Sequence, residues 1–325
     1  MTETRRVASW LAAGIAALGG AILLLLLTPA PTAQAAPPES SRACLECHPG
    51  VAEEWAASHH AKAYSNPEVQ KLSQNFRNEE CLACHTPRPV LGFAPGQRVL
   101  ARQADRAMGV DCLSCHARPE GGVAAASIRP DRTAVCRPVA DPRLSAVDTC
   151  GSCHNQHGTV DQWRSSAPAL RGRNCLGCHM PEVWREGGRL GRDHRFLAGH
   201  DLPTLQQAIQ CSVETEEGRW RVVISNQGCA HNFPTDERSR AVDVQVRWKS
   251  PDGAHWSEWE HLHRFRDPYR DELDLTNTQL PSGESWIHEG DLPDSPLGQV
   301  RVLYRFQPFL PDEDSLEITR LDILP

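Results

Sequence analysis

Ten of the 13 cysteines stand in five copies of one pattern. Each copy has two cysteines separated by two residues, with a histidine directly after the second. The copies are Cys44-Leu-Glu-Cys47-His48, Cys81-Leu-Ala-Cys84-His85, Cys112-Leu-Ser-Cys115-His116, Cys150-Gly-Ser-Cys153-His154 and Cys175-Leu-Gly-Cys178-His179. Two thiols at that spacing reach the two vinyl groups of one porphyrin, and the histidine then lies under the iron as proximal ligand. Cys-x-x-Cys-His is the c-type haem attachment pattern. Paired Cys-x-x-Cys units also hold structural zinc, and a lone one can be a redox disulfide. Zinc ribbons do not need the histidine, and a thioredoxin-like motif does not repeat five times. The repeat therefore reads as five covalently attached haem c groups.

The far face of each iron decides what such centres do. A protein ligand there makes an electron carrier, whereas an open face admits a small molecule. Of the 15 histidines, the five proximal ones leave His59, His60, His157, His194, His200, His231, His255, His261, His263 and His288. His59 and His60 are adjacent, so on a helix they point about 100° apart and one of them binds iron. His157 lies three residues beyond proximal His154, on the same helical side, and can serve only a neighbouring haem. His194 and His200 flank Arg195–Gly199 beyond the fifth motif. His255, His261, His263 and His288 fall in strand-like stretches and read as ordinary surface or packing residues. Met180 directly follows a proximal histidine and cannot reach the far side of its own haem, and Met108 reads as a packing residue.

The elements that must position these groups follow from the spacing. All five motifs lie between Cys44 and His179, too little chain for five separate globular haem domains. The porphyrins must pack against one another and supply most of the core, which suits a hydrophobic content of only 40%. Short helices around each motif, long loops and little sheet are expected there. Beyond residue 210 the pattern changes. Trp220–Ser225, Ala241–Lys249, His255–His263 and Gln299–Phe306 alternate or cluster β-branched and aromatic residues between turn signals such as Pro251-Asp-Gly253 and Pro281-Ser-Gly283. The fold class is α + β: a mostly α or irregular multihaem domain over residues 36–210, then a small antiparallel β-sandwich-like domain over 211–325. Charge divides at the same place, with a slight basic excess before it and a strong acidic excess after it.

Arg5 and Arg6 precede an uncharged run from Val7 to Leu27, and Ala33-Gln34-Ala35 has the small-x-small form of a signal-peptidase site. Residues 1–35 read as a secretory signal, with an uncleaved membrane anchor as the alternative, since the run is long enough to span a bilayer. Either way the rest of the chain is periplasmic or extracellular. A net charge of −7 gives no reason to expect a nucleic-acid partner. In an oxidising compartment two of the three remaining cysteines should pair. Cys211 and Cys229, which flank the first expected strand, are the disulfide candidates, leaving Cys136 free.

Several of these runs resemble the cytochrome c554-type multihaem family of exported bacterial electron carriers. They are Cys44-x-x-Cys47-His48 with Trp55-x-x-Ser58-x-His60-Ala61, Gly109-Val110-x-Cys112-x-x-Cys115-His116, Cys150-Gly-Ser-Cys153-His154 and Gln162-Trp163-x-x-Ser166. Cys175-x-x-Cys178-His179-Met180-Pro181 and His194-x-Phe196-x-x-Gly199-His200-Asp201 complete the series. The resemblance implies His60 rather than His59 as ligand and supports His194 and His200. A second block, Asn226-x-Gly228-Cys229-Ala230-His231-Asn232-Phe233-Pro234-Thr235, resembles a Gly-His-x-Phe-Pro-Thr signature that opens a β-sandwich-like module in related multihaem cytochromes. It implies His231 as a distal ligand donated by the second domain, to a haem of the same chain or of a neighbour. The candidate distal set is thus His60, His157, His194, His200 and His231.

These observations point to a pentahaem electron-transfer protein of a respiratory chain, with other redox proteins as donor and acceptor. A reductase of small nitrogen oxides or hydroxylamine at one open haem is an alternative. The pentahaem nitrite reductases carry lysine in place of one proximal histidine, and none of the five motifs here shows that change. A homo-oligomer, as a subunit of an extracellular cytochrome filament, is a third reading.

Overall fold

The computed structural model describes residues 38–126, 134–235, 238–294 and 297–324. The signal or anchor segment expected over residues 1–35 lies outside them. Among the described residues no helix is long and apolar enough to cross a membrane.

Five short helices carry the haem-attachment motifs: α1 (Arg42–Cys47), α4 (Leu82–His85), α5 (Cys112–His116), α6 (Val147–His154) and α9 (Cys175–His179). Between α1 and α4 lie α2 (Pro49–Ala57) and α3 (Pro67–Leu72), and between α6 and α9 lie α7 (Thr159–Arg164) and α8 (Ala167–Leu170). Helix α10 (Leu202–Ala208) closes this half. Local chemistry sets these bounds. Asp111 caps α5 in a capping box with Ser114, and Arg102 pairs with Asp111 from outside. Pro49 directly after His48 starts α2, where its missing N–H costs nothing. Sheet is sparse in this half: a parallel pair, β1 (Val123–Ala125) with β2 (Pro138–Ala140), and a hairpin, β3 (Glu182–Arg185) with β4 (Arg189–Arg192).

The strands from Gln210 onward form two facing sheets. One has β5 (Gln210–Glu216), β6 (Arg219–Ser225) and β9 (Ser285–Asp291) in the order β5-β6-β9; the other has β7 (Ala241–Trp248), β8 (Glu260–Phe265), β10 (Gly298–Arg305) and β11 (Leu316–Ile323) in the order β11-β10-β7-β8. Every pairing in both sheets is antiparallel. The observed fold is therefore α + β, as the sequence pattern predicts. One expected strand differs: pairing begins at Glu260 rather than at His255. Trp256 makes only an isolated bridge to Lys249, and Trp256 and Trp259 lie against the Arg247 guanidinium instead of extending the ladder.

Two-residue alternation explains the core. Val242, Val244 and Val246 of β7 join Val222 and Ile224 of β6, Val300 and Val302 of β10, and Ile318 and Ile323 of β11 in one buried cluster. Each fully buried valine or isoleucine contributes about 1.5–3 kcal/mol by leaving water. On the other face of β7, Asp243 is also buried, held by Arg264 at 2.6 Å and by Arg305 at 2.6 Å. Asp312 pairs with both Arg301 and Arg305 and brings the loop after β10 over this face. Burial alone would raise the Asp243 carboxyl, but Arg264, His261 and Arg305 outweigh it and hold it well below the usual carboxylate range.

No comparable cluster exists among the described residues before Leu205. Their buried apolar side chains, such as Phe76, Leu82, Val99, Met108 and Val160, join no such cluster, and a cavity of about 3470 Å3 opens among the motifs. The two halves thus differ in what can hold them together.

Two consequences are testable. In a chain expressed without haem attachment, protease should cut residues 42–208 first and spare the strands from Gln210 to Ile323. Limited proteolysis with mass identification reads this, and an equally protected N-terminal half would refute it. Asp243→Ala leaves the buried Arg305 and the half-buried Arg264 short of their carboxylate and should cost about 3–5 kcal/mol in a denaturant titration.

Candidate haem centres

In the third, fourth and fifth motifs the helix places the first cysteine, the second cysteine and the histidine at i, i+3 and i+4, which share one helical face. Cys81 ends a 3-10 turn that runs into α4, and His48 directly follows the last residue of α1. All ten motif cysteines and all five motif histidines line the same large cavity, as do His59, His60, His157, His194, His200 and His231. Shared among five motifs, the space is about 700 Å3 each, within the range of about 300–1,000 Å3 usual for a site holding one organic ligand. The donor set and the room both fit five covalently held haems. Haem c is the cofactor these residues suit. Among the described residues there is no cluster of three or more His, Cys, Asp or Glu that would hold a bare metal ion.

The motifs touch one another in an order different from their order along the chain. The side chains of Cys44 and Cys112 are close neighbours, as are those of Cys150 and Cys175. Cys115 lies close enough to Cys150 to act on it electrostatically, and His48 likewise acts on His116.

Two imidazoles bound through Nε2 at about 2 Å on opposite faces of one iron put their ring centroids about 6 Å apart. Three pairs have that separation. His154 faces His60 at 6.0 Å, His116 faces His194 at 6.4 Å, and His179 faces His231 at 6.2 Å. Each pair joins a motif histidine to one of the candidate distal ligands.

The second nitrogen of these rings is tied down. The Nδ1 atoms of His116, His179, His194 and His231 lie 2.8, 2.6, 2.8 and 2.9 Å from the carbonyl oxygens of Ala124, Leu197, Arg192 and Asn232. His85 Nδ1 lies 2.6 Å from the Ala63 carbonyl. A carbonyl only accepts, so Nδ1 carries the proton and Nε2 keeps its lone pair for iron. Burial also pushes His60 down to about 3 and lowers His116 and His194, so these rings are neutral at physiological pH.

The residues quoted in the family resemblance place these ligands. Trp55 Nε1 donates to the Val110 carbonyl at 2.8 Å, and Val110 N–H donates to the His60 carbonyl at 2.9 Å. Gly109 sits at φ +60°, and a Cβ there would meet the His60 carbonyl oxygen at 2.3 Å, so only glycine permits this approach. Ser58 accepts from Ala61 N–H and turns the chain after α2. Phe196 packs edge-on against His60 at 4.2 Å and lies 5.9 Å from His194, between two ligand rings.

His231 comes from the β half. Gln162 of α7 accepts from Asn232 N–H and from the Thr235 hydroxyl, and donates to Gln279, which in turn donates to the Pro234 carbonyl. Asn226 donates to the His231 carbonyl. Gly228 lies so close to Gln207 that a Cβ would collide with its carbonyl oxygen. His231 therefore faces His179 of its own chain.

The other two candidates are placed differently. His200 stacks on His59 at 3.4 Å and on Phe306 at 4.2 Å, rather than facing a motif histidine. His157 lines the cavity wall, and among the described residues no ring contact joins it to a motif histidine. The ring beside His85 is Phe76, itself stacked on Tyr64. His263 and His288 belong to an aromatic row with Trp286 and Trp220 between the sheets, a packing role.

Cys211 and Cys229, the expected disulfide pair, are not bonded to each other in this structure. Cys211 sits on β5 opposite Ile224, whereas Gly228 N–H bonds to the Ala208 carbonyl and carries Cys229 beside α10 and toward Cys178. Adjacency to the same strand in sequence did not bring the sulfurs together. Glu54, Arg185 and Gln162 are the site residues that sequence reasoning missed. Only Gln162 carried a signal, through its place in the resembling Gln162-Trp163-x-x-Ser166 run.

With this geometry in hand, comparison with known proteins finds two likenesses to cytochromes, one in sequence and one in fold. Residues 43–117 match the family model described as cytochrome c554 and c-prime. The fold is similar to that of a penta-heme cytochrome c552 from Thermochromatium tepidum, with a TM-score of 0.63 and 18% identity over 87% of this chain and 98% of that one. A superoxide reductase from Nanoarchaeum equitans also matches, at 18% identity over 31% of this chain and 81% of that one, but its TM-score of 0.20 carries no argument. No curated protein sequence matches.

Single substitutions separate the ligand rings from their neighbours. His60→Ala, His194→Ala and His231→Ala should each convert one haem in five to a high-spin form, seen by EPR and optical spectroscopy. His288→Ala should leave the spin count unchanged.

Proposed function

We propose that this chain is an exported pentahaem electron carrier whose haems, mainly bis-histidine ligated, pass electrons between a donor and an acceptor protein in a respiratory chain. The observation that carries the reading is the set of three facing pairs, His60/His154, His116/His194 and His179/His231, at 6.0, 6.4 and 6.2 Å. Bound haem supplies one-electron iron chemistry, and bis-histidine ligation gives lower potentials than His/Met ligation, suited to low-potential respiration. His60, His194 and His231 would close iron faces, and backbone carbonyls hold His85, His116, His179, His194 and His231 in the tautomer iron needs. Export is supported by Arg5-Arg6, the Val7–Leu27 run and Ala33-Gln34-Ala35. His157 and His200 are the remaining candidates for the irons of His48 and His85.

One observation favours a second reading, a reductase of small nitrogen oxides or hydroxylamine. Among the described residues His85 has Phe76 as its ring neighbour rather than a second histidine. An open face at that iron would admit a small ligand. The filament reading has less support, because His231 already has a partner ring within its own chain.

The test is the spin state of the purified oxidised protein together with a pyridine haemochrome count. Five haems per chain, all low-spin and inert to nitrite and nitric oxide, is the result expected of the carrier. A high-spin fraction near one in five that binds either ligand would replace it with the reductase.

A further inference from the structure

We propose that Glu54 and Arg185 act together as positioning residues for His194, fixing it as the sixth ligand of the iron that His116 holds. The inference rests on the bis-histidine reading above and goes beyond it by naming what keeps one of those ligands in place.

The two residues come from parts of the chain with no local reason to meet. Glu54 lies on α2, directly after the first haem motif, and Arg185 lies on β3, after the fifth. Arg185 Nη1 and Nη2 each lie 2.6 Å from a Glu54 carboxylate oxygen, a bidentate fork, and both side chains are about one-fifth exposed. Glu54 has a second task. Its Oε2 accepts the backbone N–H of His194 at 3.0 Å. Arg185 has one too, since its Nη2 donates to the Arg192 carbonyl, the same oxygen that lies 2.8 Å from His194 Nδ1. The ring of bonds is closed: carboxylate to ligand backbone, guanidinium to carboxylate, guanidinium to carbonyl, carbonyl to ligand imidazole.

Both ends of His194 are thus fixed by one ion pair, which sets where the backbone stands and which way Nε2 points. The neighbouring residues hold the next link rather than the ligand. Asp193 is buried and accepts from the backbone N–H and guanidinium of Arg195. An ion pair that served only to pin the β3–β4 hairpin to α2 would have no need of the His194 N–H. Partners of this kind around metal ligands change metal affinity by about 10–100-fold when removed.

The experiment uses the full haem-loaded chain and reads EPR of the oxidised form and carbon monoxide binding to the reduced form. His194→Ala is the reference. It should leave one haem in five high-spin and able to bind carbon monoxide, and if it does not, the bis-histidine reading at this iron fails, whatever Glu54 does. Where the reference behaves as stated, Glu54→Ala and Arg185→Ala should each shift the low-spin signal of that same haem and speed its carbon monoxide binding about tenfold. The charge exchange Glu54→Arg with Arg185→Glu restores an ion pair but puts a donor, not an acceptor, against the His194 N–H, so it should not rescue either readout. Wild-type signals in both single variants, or full rescue by the exchange, would overturn the proposal in favour of a purely structural tie. If Glu54→Ala fails to take up haem, Glu54→Gln, which keeps the shape and loses the charge-assisted bonds, is read by the same criteria.

Discussion

An iron held by one imidazole has a second face that the chain must either close or leave to solvent, and in this protein that requirement organises the long-range contacts of the haem-binding half. The attachment motifs are local and could form on five isolated helical turns. The facing ligands could not. His60 reaches His154, His194 reaches His116, and His231 reaches His179 only because loops, a hairpin and a second domain carry them across a cavity too large for side chains to fill. Covalent haem in that cavity would supply the apolar contact area that the scattered residues around it lack. The strands beyond Gln210, with a contiguous valine and isoleucine core, have no such need.

The β half is more than an appendage, because it donates a ligand. The Asn226–Thr235 loop lies against α7 through Gln162, and its other side continues into the sheet core at buried Phe233. Stability in the sheets is therefore coupled to the position of His231. Loosening the β core would loosen the closure of the iron behind His179. An electron carrier benefits from this arrangement, since a rigidly held pair of axial imidazoles changes little between oxidation states.

What could be read in the sequence follows from how local each feature is. The five attachment motifs need only a turn of chain, so spacing alone points to their residues and to the chemistry those residues suit. His60, His194 and His231 were legible through the resembling runs around them, and the structure gives those runs a reason: Trp55, Gly109 and Val110 form one bonded unit that carries His60. The pairing of ligand with iron was not legible, because it depends on which loops meet across the cavity. Glu54 and Arg185 look like ordinary surface charges until the β3–β4 hairpin is seen against α2. Cys211 and Cys229 are unbonded here: Cys211 lies on β5 in register with Ile224, and the close packing of Gly228 on Gln207 carries Cys229 beside α10.

The contacts among the motifs bear on how electrons would travel. Cys44 meets Cys112, Cys115 lies near Cys150, and Cys150 meets Cys175. On the proposed reading these contacts set the first, third, fourth and fifth haems in sequence through space, with the third and fourth as the steps between the outer two. The second motif joins from the side, since His85 is bonded to the Ala63 carbonyl, three residues beyond the His60 that faces His154. A row with a side branch has two ends and a spur, more sites of exchange than a simple relay uses. The spur is the centre where Phe76, not histidine, lies beside the proximal ring. On the reductase reading, a ligand bound at this iron could be reduced without interrupting the row. Carrier and reductase would then be two uses of one scaffold, distinguished by whether a single imidazole closes that face.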